Sequence, residues 1–128
     1  MTEILVPISV GELLDKLTIL QIKSERIADA SKLVNIRKEL TALSEICVKQ
    51  SLDTQHLLVM DLRQVNEDLW VVEDKLREKE HAKDFGSEFV KLARDVYFTN
   101  DRRAAIKREI NVLMGSTYVE EKSYAPYS

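Results

Sequence analysis

The chain has 128 residues, 32% of them charged and mixed in sign, with a net charge of −3 at pH 7. That balance argues against wholesale binding to nucleic acid or to an anionic membrane. One cysteine, Cys47, leaves no internal disulfide, and no apolar run approaches the ~18 residues of a membrane span, so we expect one cytoplasmic domain over residues 1–128.

The opening MTEILVPISV lacks the basic and long apolar regions of a secretory signal. Within it, Ile4, Val6 and Ile8 alternate as in a short strand, which Pro7 confines to a sheet edge. Between Gly11 and Gly115 there is no proline and a single glycine, Gly86, so long helices are predicted there. The first spans about 10–29. Ser9 and Glu12 fit the capping-box spacing, and Val10, Leu13, Leu17, Leu20 and Ile27 form its apolar seam. Leu14, Ile19 and Ile22 lie off that seam, which gives this helix more than one apolar face and a central place.

The second helix is expected over 32–50, with Ser31 as cap and Leu33, Ile36, Leu40, Leu43 and Cys47 as seam. Cys47 reads there as a small buried hydrophobe rather than a reactive thiol. The third is expected over 54–81 after an Asp53 cap. Its seam is Leu58, Leu62, Val65, Leu69, Val72 and Leu76. Asp84-Phe85-Gly86-Ser87 breaks the chain before the fourth, over 87–114, which Gly115 should terminate. Short loops between long helices imply antiparallel neighbours. The fold class is therefore all-α: about four long antiparallel helices, with arms at 2–8 and 116–126 expected to pair as a minor two-stranded sheet.

Polar residues interrupt this pattern. Thr99 and Arg103 stand on the apolar seam of the fourth helix, and a buried arginine must find an acceptor. Beside the seams run Asn66, Trp70 and Glu73 on the third helix and Tyr97, Asn100 and Lys107 on the fourth. If these two helices pack together, Asn66, Trp70, Glu73, Tyr97, Asn100, Arg103 and Lys107 form a candidate ligand-binding cluster. In it Arg103 and Lys107 would neutralise a small anion, Asn66 and Asn100 would orient it, and Glu73 would be a candidate base. The structural alternative is a buried network that fixes helix register. Trp70 has an alternative of its own, packing against the N-terminal arm or a second subunit.

Arg102, Arg103, Lys107 and Arg108 make a local basic run, which suits the later turns of a helix and carries no interleaved aromatic pattern for RNA. His56 and His81 lie 25 positions apart on one helix, so no metal site or cofactor is expected. Glu12 and Asp15 share a helix face at a spacing similar to that of all-helical nucleotide pyrophosphohydrolases. Neither Glu73-Asp74 nor Glu120-Glu121 completes the paired magnesium pattern.

Four stretches together resemble a family of small bacterial proteins catalogued as a domain of unknown function. They are VPISVGELLDKLTILQIKSERI (Val6–Ile27), VNEDLWVVEDKLREKE (Val65–Glu80), FVKLARDVYFTNDRRAAIKREIN (Phe89–Asn111) and GSTYVEEKSY (Gly115–Tyr124). The resemblance covers nearly the whole chain. It implies a bacterial cytosolic origin and assigns no activity or residue role. We expect a non-enzymatic binding or scaffold module acting through its helical surface, a homodimer open to a further protein partner. The alternative is a small-anion binder or enzyme using the polar cluster.

Overall fold

The computed structural model describes residues 2–127 and contains four helices: α1 (Val10–Arg26), α2 (Ala30–Lys49), α3 (Leu57–His81) and α4 (Ser87–Leu113). Each start has a local cause. Ser9 Oγ accepts from the Glu12 amide at 3.1 Å and caps α1, as its spacing predicts. Asp29, one turn before Lys32, caps α2 in place of Ser31. Its Oδ1 accepts from the Lys32 amide at 3.1 Å and from Ser31 Oγ at 2.6 Å. The Ser31 hydroxyl, with that amide, holds the Asp29 carboxyl below its ordinary range. α3 begins at Leu57 because His56 Nδ1 accepts from the Leu58 amide at 3.0 Å; Asp53 instead closes the preceding turn on the Gln55 amide at 2.9 Å. α4 follows Gly86 with no side-chain cap.

The end of α4 is a Schellman turn. Gly115 takes φ +65°, the Ser116 amide donates to the Asn111 carbonyl at 2.8 Å, and the Gly115 amide donates to Val112 at 3.4 Å. This glycine uses a left-handed conformation that side chains disfavour.

α1 is central, as its two apolar faces predict. Its backbone approaches all three other helices, α2 approaches only α1, and α3 pairs most extensively with α4. Leu13, Leu14 and Leu17 of α1 meet Cys47, Val59, Leu62 and Ile110 in one core. Fully burying each such leucine is worth ~1.5–3 kcal/mol. α1 and α4 are antiparallel, with Gly11 beside Asn111 and Asp15 beside Arg103. Only Cys47 of α2 is buried; Leu33, Ile36, Leu40 and Leu43 are half-buried. Among the described residues no helix is long and apolar enough to cross a membrane.

The expected two-stranded sheet is not formed. Neither arm has regular secondary structure, and the described residues include no strand. Residues 2–8 are exposed throughout. The C-terminal arm turns at Gly115 and runs back along α4, held by side chains instead of a backbone ladder. Glu121 pairs with Arg108 at 2.9 Å, and Tyr127 Oη donates to Asp101 Oδ2 at 2.5 Å. The alternation of Ile4, Val6 and Ile8 therefore reports no buried face. The arm finds cations and aromatic rings on α4 in place of a strand partner.

Candidate functional site

The polar residues on the α4 seam find their partners on α1. Arg103 grips Asp15 with both edges of the carboxylate: Nε donates to Oδ1 at 2.9 Å and Nη2 to Oδ2 at 2.5 Å. The Asp15 side chain is 2% exposed and that of Arg103 26%. Asn66 Nδ2, from α3, donates to Asp15 Oδ1 at 3.0 Å and to Thr18 Oγ1 at 3.1 Å; the Thr18 hydroxyl in turn donates to the Asp15 carbonyl at 2.9 Å. A buried carboxylate is tolerable only with such company. Its hydrogen bonds raise the Arg103 pKa still further against the opposing cost of burial.

One turn along α4, Lys107 Nζ donates to Glu12 Oε2 at 2.8 Å and to Glu120 Oε2 at 3.4 Å. One turn further, the Gly11 amide donates to Asn111 Oδ1 at 2.6 Å. A Cβ on Gly11 would lie 2.6 Å from the Lys107 carbonyl oxygen, so only glycine lets α1 and α4 approach this closely. Gly11, Glu12 and Asp15 thus meet Asn111, Lys107 and Arg103 in antiparallel register. Among the described residues no buried side-chain nitrogen or oxygen lacks a hydrogen-bond partner.

Outside this network lies a cleft of about 980 Å³. On one side α4 contributes Tyr97, Asn100, Asp101, Arg103, Ala104 and Lys107, with Glu12 of α1 beside them. On the other side the C-terminal arm contributes Glu120, Lys122, Tyr124, Pro126 and Tyr127. The Tyr127 ring lies 5.3 Å from Tyr97 and 5.1 Å, edge-on, from Phe98. Its bond to Asp101 raises the Tyr127 pKa. Lys122, bonded at 2.5 Å, and then Lys107 hold the Glu120 carboxyl below its ordinary range. Charges lining the cleft balance: Glu12, Asp101 and Glu120 against Arg103, Lys107 and Lys122.

Four of the seven residues singled out in the sequence converge on this cleft: Tyr97, Asn100, Arg103 and Lys107. Asn66 stands behind Arg103, in the buried network. Trp70 is half-buried and Glu73 exposed on α3, and neither lines the cleft. The cause is the length of α1. Its last residue, Arg26, pairs with Glu67 at 2.9 Å, so beyond that level α4 is the helix beside α3. Glu73 is therefore not placed to act as a base on anything in the cleft.

Two parts of the site lay outside the sequence-derived cluster. Glu12 and Asp15, noted for their shared face, are the partners of Lys107 and Arg103. The signal was the complementary spacing of two acids at i, i+3 and two cations at i, i+4. The second part is the C-terminal arm, which the expected sheet had placed elsewhere. Among the described residues no group of three or more His, Cys, Asp or Glu side chains is arranged to hold a metal ion.

The model of a family of unknown function (DUF6165) matches residues 4–128, and the chain belongs to that family. No curated protein and no solved structure matches it.

Proposed function

We propose that this member of the family is a non-enzymatic binding module that engages a second polypeptide through its helical surface. The observation that supports this is an apolar end to the bundle. The start of α1, the end of α2, the start of α3 and the end of α4 meet around the common core. At that end Val48, Leu57 and Val112 are 79%, 69% and 73% exposed, and the N-terminal arm adds Ile4, Leu5 and Val6 at 78%, 82% and 65%. Exposed apolar side chains concentrated toward one end of a bundle suit an interaction with another chain. The first partner to test is a second copy of this chain. Light scattering at tens of micromolar should give twice the 14.8 kDa chain mass, and Leu5→Lys with Val48→Lys should return it to that mass. A monomer that also captures no protein through this end would refute the reading.

A second reading, a small-anion site, is favoured by the cleft on α4. Arg103 and Lys107 both border it, and Asn100 supplies an amide beside them. Both cations already hold carboxylates, which supports recognition over proton transfer. A thermal melt against carboxylates, phosphate and sulfate tests this reading. Ligand at ~100 times its dissociation constant adds about 2.7 kcal/mol. A flat panel would leave the polypeptide reading alone.

A further inference from the structure

The charge balance of the α4 cleft has a consequence for what can enter it. With Arg103 already held by Asp15, the three carboxylates that line the cleft outweigh its remaining cations, Lys107 and Lys122, so an added anion must replace one of the three to be held well. The three residents differ in how they are carried. Glu12 is fixed on α1. Asp101 is fixed on α4 and accepts the Tyr127 hydroxyl. Glu120 alone stands on a segment without regular structure, tied to α4 by side chains. Its carboxylate sits between Lys122 at 2.5 Å and Lys107 at 3.4 Å, and the Lys107 side chain is only 11% exposed. This is a two-cation carboxylate position, presently filled from within.

The same arm also sets a ring into the cleft. Tyr124 lines the cleft with its ring 5.9 Å from Lys122 Nζ, next to the carboxylate position, while Tyr127 packs farther along α4 on Tyr97 and Phe98. The arm therefore presents to α4 a carboxylate and an aromatic ring. We propose that the cleft binds an aryl carboxylate, and that Glu120 holds the carboxylate position until this ligand displaces it. The inference rests on the small-anion reading and adds to it the ligand class and the internal competitor.

Displacement makes a signed prediction. If the position is free in about a tenth of molecules, Glu120 weakens apparent affinity about tenfold. The test titrates the full chain with phenylacetate, following amide shifts by NMR, in wild type, Glu120→Gln and Lys122→Gln. Acetate and benzyl alcohol are run as half-ligands. Glu120 lies on the exposed arm and outside the core, so the glutamine variant keeps the fold, which its helical circular dichroism checks. The expected result is saturable binding of phenylacetate, about tenfold tighter in Glu120→Gln than in wild type and weaker in Lys122→Gln than in Glu120→Gln, with both half-ligands weaker than the whole. Equal affinity in wild type and Glu120→Gln would overturn the internal competitor and leave the small-anion reading standing. Benzyl alcohol binding as well as phenylacetate would overturn the carboxylate assignment. No saturable shift with phenylacetate in either form would overturn the inference, while the small-anion reading falls only if the phosphate and sulfate melts are flat as well.

Discussion

Breaking the Asp15–Arg103 pair from its two sides should cost different amounts. Arg103→Met leaves the Asp15 carboxylate, 2% exposed, with Asn66 Nδ2 as its one remaining side-chain donor. A stranded buried charge of this kind costs ~3–5 kcal/mol, and the depth of Asp15 points to the upper part of that range. Asp15→Ala leaves the guanidinium instead, and at 26% exposure it can turn toward water, so the loss should be nearer ~2–3 kcal/mol. Asn66 keeps Thr18 Oγ1 as acceptor in that variant. The double variant strands nothing and should recover ~1–3 kcal/mol relative to the sum of the two. Urea unfolding followed by far-ultraviolet circular dichroism at pH 7 gives all four corners of the cycle. Because the pair is buried, the coupling should change little between low and high salt. Two outcomes would refute the reasoning: Arg103→Met costing less than Asp15→Ala, or a coupling energy within ~0.5 kcal/mol of zero.

Gly11→Ala should destabilise despite alanine's better helix propensity, because the added Cβ meets the Lys107 carbonyl at 2.6 Å. Overpacking of this kind costs ~1–3 kcal/mol, which a thermal melt would show as a fall of several degrees. Acid should loosen the C-terminal arm. Glu120 titrates below its ordinary value of 4.5 when folded, so its contribution is complete above that pH and is lost as pH falls through the depressed folded pKa. Base should do the same at the other end of the arm, since Tyr127 titrates above 10.0 and its bond to Asp101 is complete below that pH and lost as pH rises through the raised value. Amide shifts of residues 118–127 across both ranges check these two signs. Cys47 is buried and its thiol pushed up by desolvation, so a thiol reagent should label the native chain no faster than it opens. Rapid labelling at neutral pH would contradict its place in the core.

The helices and the central role of α1 were readable because they depend on spacing along one strand of sequence. Leu14 and Ile22, off the first seam, signal a helix with several neighbours, and both are fully buried. Arg103 likewise announced that a carboxylate must face it. Which carboxylate was not readable, since Asp15 lies 88 positions away and the pairing depends on how α1 crosses α4. Glu73 was misplaced for the same reason: the periodicity of α3 continues past Glu67, but α1 does not. The arms misled because alternation over a few residues is a weak signal without a partner. The left-handed turn at Gly115 decided the path of the C-terminal arm, and the cleft exists only along that path.

The four helices are unequally bound to one another. α1, α3 and α4 share the Asp15, Asn66 and Arg103 lock, while the backbone of α2 approaches α1 alone. Opening α2 would therefore expose the leucines it shields and still leave every bond of that lock intact. A partner offering a better apolar face than α1 would have to compete with a single helix pairing, not with the whole fold. The frame is three helices tied by buried polar bonds, and α2 is a panel laid on it through α1.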